Sequence, residues 1–579
     1  MQKKLVVPIL IFAIMAGAFF VRIYSHEEWL YFKMDQARDA FLITKAMEDP
    51  GYLPLLGPRA GATDLENGFL RLGPAYYYFQ YLSALIFQSV EPQVLAYPDL
   101  FFGMAAILLL YFLVRIYFSK KLSLMIMAMY AFSFIVIEYS RFAWNPNSLQ
   151  FFLLLTFFAL LKFLGEEQEK KKKWWIALWA LALAIGSQLH FFGFFSLLGI
   201  SGLLIAFQLK PWLKDSWSGY FKKQTILKFL KYSAVVVIVF AVIYTPVIIS
   251  DLFENGQNSK NFIEALGSKP GNKSLAEKIG RNIEEHLKYY CVGTIADCYK
   301  RSAWENLAPA LSTGAVLLVS FFLAIWNLIK ATDARKRNFL ALIVIWVGVF
   351  SILTIPVAHD LRPRFFIIVF AVPFILLGIL FEFLEKKFGK RGLWMSVAIF
   401  FAVLAMNARG TYAWFREQSM SQEKNLNVDL TLILKAQDGV TLGQFRRAAN
   451  FIAARHEPGK NIYYAIKPEH DRPLDYVLEK RLGKDVKTYT LKINEDPDAQ
   501  FFAIVINRED ALEKIAAEFG PDFEVLSSEK VGQIAVFEIS LPSRIVSQDF
   551  KMVEKENAED RFFWKDVLKN IIKKTNATI

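Results

Sequence analysis

The sequence predicts a polytopic α-helical membrane protein with a C-terminal extracytoplasmic α/β domain, and three observations carry that prediction. Apolar runs of about 18 to 22 residues, each long enough at ~1.5 Å per residue to cross roughly 30 Å of hydrocarbon, recur as far as residue 411. Of 579 residues, 55% are hydrophobic and 16% aromatic, more apolar surface than one soluble core can bury. Beyond residue 412 the long runs stop, and helix and strand periodicities alternate within a soluble composition.

Met1-Gln2-Lys3-Lys4 precedes the apolar run from Leu5, which puts the N-terminus in the cytoplasm. Ala16-Gly17-Ala18 leaves a cleaved signal peptide open as the rival, and either way the chain after Tyr24 lies outside. Basic loops at Lys120-Lys121, Lys170 to Lys173, Lys210 to Lys231, Lys330 to Arg337 and Lys386 to Arg391 read as cytoplasmic. Spans near 5–24, 97–118, 122–139, 148–165, 174–189, 191–208, 230–250, 306–329, 338–356, 365–383 and 392–411 satisfy all of these anchors, about eleven crossings with the C-terminus outside. The apolar stretch from Gly73 to Val90 would invert every later loop if it crossed. It is therefore read as interfacial or re-entrant, with its tyrosines at headgroup level.

The resulting layout has a transmembrane domain over 1–412, with external loops at 25–96 and 251–305, an α/β domain over 413–545 and a charged amphipathic tail over 546–579. In the α/β domain, helices are expected at Thr441 to Ala454, Arg472 to Leu482 and Asp510 to Phe519. Strands are expected at Asn461 to Ile466, Phe501 to Ile506, Phe523 to Leu526 and Gln533 to Ile539. The tail carries an apolar stripe of Phe562, Phe563, Trp564, Val567 and Ile571; a solvated terminal helix is favoured over one lying on the membrane or a partner. The net charge of +13 falls in short clusters between apolar runs, which fits topology and anionic membrane lipids and gives no reason to expect nucleic acid. Cys291 and Cys298, the only cysteines, can close a small disulfide if their loop faces an oxidising compartment; two free thiols are the alternative.

Polar oddities concentrate at the outer ends of the spans. In KMDQARDAF, Asp35 and Asp39 share one helical face beside Arg38, either as an exposed ion-paired cap or as working carboxylates. EYSRFAWNPNSLQ places Arg141, Asn145 and Asn147 at an external junction, where Asn147 or Ser148 can also serve as a helix cap. Gln188 and His190 break the polarity pattern between two apolar spans, which an interhelical hydrogen bond would also explain. AHDLRPRFF brings His359, Arg362 and Arg364 to an outer end, against the positive-inside bias, and an anionic ligand such as a phosphate would account for them. A carboxylate that takes a hydroxyl proton, with cations that stabilise a departing phosphate, suits glycosyl transfer from a lipid-phosphate sugar, and a single base suits direct displacement with inversion.

These pieces resemble a known family. MDQARDA at 34–40, LLGP at 55–58, GPAYYYF at 73–79, YSRFAWNPN at 139–147, GSQLH ending at His190 and RPRFFIIVFAVP at 362–373 are similar to the GT-C superfamily of integral-membrane glycosyltransferases, in the branch of protein O-mannosyltransferases and the lipid A aminoarabinose transferase. The resemblance implies a GT-C-like fold with a cavity facing the outer leaflet, Asp35 as catalytic base and a polyprenyl-phosphate-linked sugar as donor. Arg38, Asp39, Arg71, Tyr76, Arg141, Asn145, Gln188, His190, His359, Arg362 and Arg364 become candidate phosphate or sugar contacts. Relatives usually carry Asp-Glu where this chain has Asp35-Gln36, so a metal held between adjacent acids is in doubt; no cofactor is required and a divalent ion stays open. The acceptor implied is a lipid, a glycan or a protein at the outer face of the cytoplasmic membrane. A lipid-linked sugar transporter is the alternative, disfavoured by the lack of matching Gly/Pro-broken spans and mid-span charges.

Overall fold

The structure is a computed structural model that describes residues 2–60, 69–214, 223–267, 273–298, 303–426, 439–483, 488–490, 499–541 and 562–569. The chain is a polytopic helical membrane protein with a C-terminal α/β domain, and the expected spans fall on helices, those at 122–139 and 365–383 each on two helical pieces. The first half contains α1 (Gln2–Ile23), α2 (Met34–Glu48), α3 (Ala75–Phe87), α4 (Pro92–Val114), α5 (Lys120–Ala131), α6 (Phe134–Glu138), α7 (Leu149–Gly165), α8 (Glu169–Leu189), α9 (Phe191–Lys214) and α10 (Lys223–Phe253). The second contains α11 (Gln257–Gly267), α12 (Leu275–Ile295), α13 (Ala303–Lys330), α14 (Ala334–Leu353), α15 (Val372–Phe388) and α16 (Lys390–Ser421).

Seven described helices are long and apolar enough to cross a bilayer, or eight if the turn Pro363–Val369 and α15, bent by 42°, count as one span. This is fewer than the expected eleven, for identifiable reasons. The 122–139 segment is broken after α5, where Phe134 N donates to Asn407 Oδ1 at 2.9 Å and Ser133 Oγ to Gly293 O at 2.9 Å. Those bonds satisfy a backbone group and a hydroxyl that a break would otherwise leave unpaired in a buried setting. The α7 helix has only 17 residues, and four lysines occupy the first turns of α8. With 13 residues, about 20 Å of rise, α3 is too short to cross. Its first turn is buried at Tyr76 and Tyr77, while Leu82, Leu85, Ile86 and Phe87 are exposed.

The last long helix, α16, continues to Ser421, so a helix and not a linker passes the expected boundary at 412. The domain beyond it contains α17 (Leu442–Arg455), β1 (Ile462–Ile466), α18 (Pro468–Leu482), β2 (Thr488–Thr490), β3 (Gln500–Ile506), α19 (Ala511–Phe519), β4 (Glu524–Val531) and β5 (Ile534–Ser540). The sheet order is β2-β1-β3-β5-β4, with β1 parallel to β2 and β3, and β5 antiparallel to β3 and β4. Alternation along β3 sends Phe502 and Ile504 into the main core and Ala503 into a second cluster with Ile515 and Phe519 of α19. The sequence reading misses β2, whose three residues are too few for a period-2 pattern.

This domain sits directly on α2. Tyr476 of α18 packs its ring on Phe32 and Phe41, shares a hydrogen bond with Thr44 at 3.0 Å and donates to Val90 O at 2.6 Å. Lys33 Nζ donates to His470 Nε2 at 3.0 Å. The amides of Leu442 and Gly443 donate to Leu30 O and Glu28 O, and a Cβ on Gly443 would lie 2.2 Å from the Glu28 carboxylate. Arg446 of α17 pairs with Glu27 and Glu91.

Where it is described, the tail forms a short helix over 564–569, and the aromatic residues at its start pack on the rest of the chain instead of lying in solvent. Leu55 N donates to Phe562 O and Trp564 N to Leu53 O, forming an isolated β-bridge between Pro54 and Phe563 that ties the tail to the loop after α2. Trp564 Nε1 donates to Tyr78 Oη at 3.0 Å, Phe562 stacks on Phe253, and Lys565 Nζ lies 3.3 Å above the Tyr52 ring. Of the apolar stripe, Phe562, Phe563 and Trp564 pack against Phe253, Tyr52 and Tyr78; Ile571 lies outside the described residues. Cys291 and Cys298 form a disulfide at the end of α12. Replacing Trp564 by Ala removes the bond to Tyr78 and the indole contacts, at an expected cost of about 1–3 kcal/mol. A lowered melting temperature with faster amide exchange at Leu55, measured on the full chain, is the expected outcome.

Candidate active site

The α2 helix begins immediately after Lys33, and its first two turns carry the acidic pair. Arg38 donates to Asp35 Oδ1 at 3.0 Å and to Asp39 Oδ1 at 2.8 and 3.0 Å, so one guanidinium bridges both carboxylates. Burial opposes the charge of Arg38, but Asp39, Tyr77 and Asp35 outweigh it and raise its pKa well above the ordinary arginine value. The two acids differ in setting. Asp39 is buried and also accepts from the Tyr77 hydroxyl at 3.1 Å, whereas the Asp35 side chain is 55% exposed. Of the pair, therefore, Asp35 has the open side on which a substrate hydroxyl could lie.

The sequence segments singled out above are knitted together behind this face. Gln36 Nε2 donates to Ala143 O at 3.0 Å, which ties MDQARDA to YSRFAWNPN. Gly57 N donates to Leu72 O, and a Cβ on Gly57 would stand 2.2 Å from Gly73 O. A Cβ on Gly73 would in turn stand 2.1 Å from Gln188 Oε1, so LLGP, GPAYYYF and GSQLH stack with no room for a side chain between them. Asn145 Nδ2 donates to Leu189 O at 2.6 Å and closes the ring of contacts.

At the centre lies a residue that the sequence reading did not select. Asp99 of α4 is 1% exposed and accepts from Tyr76 Oη at 2.7 Å, Trp144 N at 2.9 Å and Ser148 Oγ at 2.5 Å. A carboxylate near the start of an otherwise apolar run was the available signal, since intramembrane acids are retained only for a reason.

Several candidates are committed to the scaffold. Arg141 does not face a ligand: its guanidinium donates to Val21 O, Arg22 O and Tyr24 O at 2.7–2.9 Å and caps the C-terminal end of α1, where a cation complements the exposed carbonyls. The Tyr76 hydroxyl is fully buried on Asp99, and the Asn145 amide is engaged by α8. Arg71 is held through its backbone by Asn258 of α11 and bridges to Arg59. His359 is exposed, in electrostatic reach of Glu277 of α12.

Other candidates do gather. Arg364 lies 5.6 Å over the Trp144 ring, in electrostatic reach of Arg362 and Asp35. His190 packs edge-on against Phe365 with ring centroids 5.5 Å apart, and its Nδ1 and the Oε1 of Gln188 are buried without a hydrogen-bond partner. Burial, then the Arg364 charge, pushes the His190 imidazole down to about 3, so it is neutral at physiological pH. Among the described residues no group of three or more His, Cys, Asp or Glu is assembled. The acidic pair does not fit a divalent ion, because the Arg38 guanidinium occupies the position between its carboxylates.

Residues 62–253 match the family described as dolichyl-phosphate-mannose-protein mannosyltransferase. That segment includes α3, Asp99, the 139–147 turn and His190, covers less than half of the chain, and supports the resemblance to GT-C enzymes. The chain is also similar to the crystal structure of ArnT from Cupriavidus metallidurans bound to undecaprenyl phosphate, at 12% identity over 93% of this chain and 99% of that one, with a TM-score of 0.48. A second similar structure is the archaeal oligosaccharyltransferase AglB from Archaeoglobus fulgidus in complex with an inhibitory peptide and a dolichol-phosphate, at 14% identity over 81% of this chain, with a TM-score of 0.46. This chain spans 63% of the length of AglB. No curated protein matches the chain.

Two outcomes follow from this geometry. Asp99→Ala strands three donors in a dry site, so the variant should lose about 3 kcal/mol or more and melt correspondingly earlier. His190 is neutral when folded but takes up a proton near 6.5 when unfolded, so stability falls as pH drops below that value towards 3. His190→Gln should remove part of the loss in melting temperature between about pH 7 and pH 5, measured against wild type.

Proposed function

We propose that the protein is an inverting glycosyltransferase that moves a monosaccharide from a polyprenyl-phosphate carrier to a hydroxyl acceptor at the outer face of the cytoplasmic membrane. The observation that carries this reading is the contrast within the acidic pair. Asp39 is enclosed by Arg38 and Tyr77, while Asp35 keeps an open face within reach of the Arg364 charge. In the proposed reaction Asp35 accepts the proton of the acceptor hydroxyl as its oxygen attacks the anomeric carbon. The bond from that carbon to the phosphate oxygen breaks, and polyprenyl phosphate departs with the additional negative charge. Arg364 and Arg362 balance that charge. Asp39, the carboxylate nearest to Asp35 along α2, is enclosed and cannot form a sugar-enzyme bond, so displacement is direct and the anomeric centre inverts.

The donor class is supported by the family matched over residues 62–253, whose description contains a polyprenyl-phosphate mannose. An extracytoplasmic site is supported by the disulfide at Cys291 and Cys298, which persists in oxidising compartments. The acceptor is a lipid, a glycan or a protein, and α18 and α17, seated against α2 and the chain leading into it, are the elements placed to select it.

The test is release of polyprenyl phosphate by the purified full-length protein, given radiolabelled polyprenyl-phosphate sugars one at a time with membrane extract as acceptor. Asp35→Asn should reduce release by roughly 10²–10⁴-fold while the protein stays folded. No release from any donor by folded wild type would overturn the reading and favour transport of a lipid-linked sugar.

A further inference from the structure

Gln36 stands next to the proposed base and is 4% exposed. Its two amide atoms do different work in different elements. Oε1 accepts from Lys33 N at 3.1 Å and so caps the first turn of α2, the turn that carries Asp35. Nε2 donates to Ala143 O at 3.0 Å, in the turn between α6 and α7. The next residue, Trp144, has its amide held by Asp99 and its ring under Arg364. One side chain therefore links the neighbour of Asp35 to the neighbour of the ring on which the facing cation rests.

We infer that Gln36 is a positioning residue whose amide, acting as donor and acceptor at once, sets the spacing between Asp35 and Arg364; the inference rests on the proposed glycosyl transfer. At neutral pH a carboxylate in its place cannot reproduce that role. Glutamate matches the shape but only accepts, so it would face Ala143 O with lone pairs and leave that carbonyl without its donor. A protonated glutamic acid regains one O–H donor and keeps one acceptor, and burial raises the pH at which it protonates. The glutamate substitution is thus a defect that acid should repair, whereas the alanine substitution is a defect that acid cannot.

The experiment compares full-length wild type, Gln36→Glu and Gln36→Ala at about pH 8 and about pH 5.5, a window that brackets a raised carboxyl pKa. Amide exchange over residues 33–39 and 141–147 and donor turnover are both measured. The charged and titratable groups around the site are Lys33, Asp35, Arg38 and Asp39 on or beside α2, His470 against Lys33, Asp99 and Arg141 about the turn, and Arg364 and His190 across from it. All are common to the three proteins, so the ratio to wild type at each pH isolates residue 36. At the higher pH both variants should exchange faster in both segments and turn over about 10- to 100-fold more slowly, with the loss in kcat and not in KM. At the lower pH the Gln36→Glu variant should move back towards wild type in both readouts and the Gln36→Ala variant should not. Wild-type exchange in Gln36→Glu at the higher pH, or equal and pH-independent losses in both variants, would overturn the inference. If wild type transfers no sugar, the function reading fails, and exchange alone decides the role of the amide.

Discussion

A carboxylate sunk among apolar helices persists only when enough donors meet it, and Asp99 meets three from two separate parts of the chain. Tyr76 is at the start of α3, while Trp144 and Ser148 belong to the turn that precedes α7. Through that one acceptor α3 and the turn before α7 are held against α4. The order of the site follows from there: the adjoining Tyr77 reaches Asp39, and the ring of Trp144 supports Arg364. Asp99 touches no reacting group in the proposed transfer, yet it determines where those that do are found.

Charge is distributed by the same rule. Guanidinium groups lie near the helix ends, and burial and partners separate their roles. Arg141 is engaged by the last carbonyls of α1, and Arg38 bridges the acidic pair, with Asp39 buried on it and on Tyr77. Arg364 rests on an aromatic ring with Arg362 close by. The imidazole of His190, kept neutral by burial and by Arg364, adds a polar edge without adding repulsion to that region.

The C-terminal domain and the tail brace α2 and the loop that follows it as far as LLGP, support that loops ordinarily lack. Tyr476 and His470 brace α2 from one side, and the bridge at Phe563 pins the loop at Leu53 to Leu55 from the other. Glycines at 57, 73 and 443 stand where any side chain would collide, so the close approaches of backbone are written into those positions.

The sequence alone determined what depends on short-range periodicity and bulk composition. The thickness of hydrocarbon sets the length of an apolar run, so the places of the membrane helices were legible, and the change to alternating periods at the α/β domain was equally plain. The four-residue spacing of Asp35 and Asp39 announced a shared helical face, and the seven-residue separation of the cysteines allowed the bridge that forms. Only the tertiary structure decided which polar groups are free. Arg141 and Tyr76 looked available because their partners, the end of α1 and Asp99, lie far away in sequence or inside an apolar run. The tail looked solvated because its receptor is a loop about 500 residues earlier, joined through backbone hydrogen bonds that carry no sequence pattern. Hydrogen-bond saturation is a property of the packed chain, and the difference between a structural arginine and a ligand-binding one is that property and nothing in the residue itself.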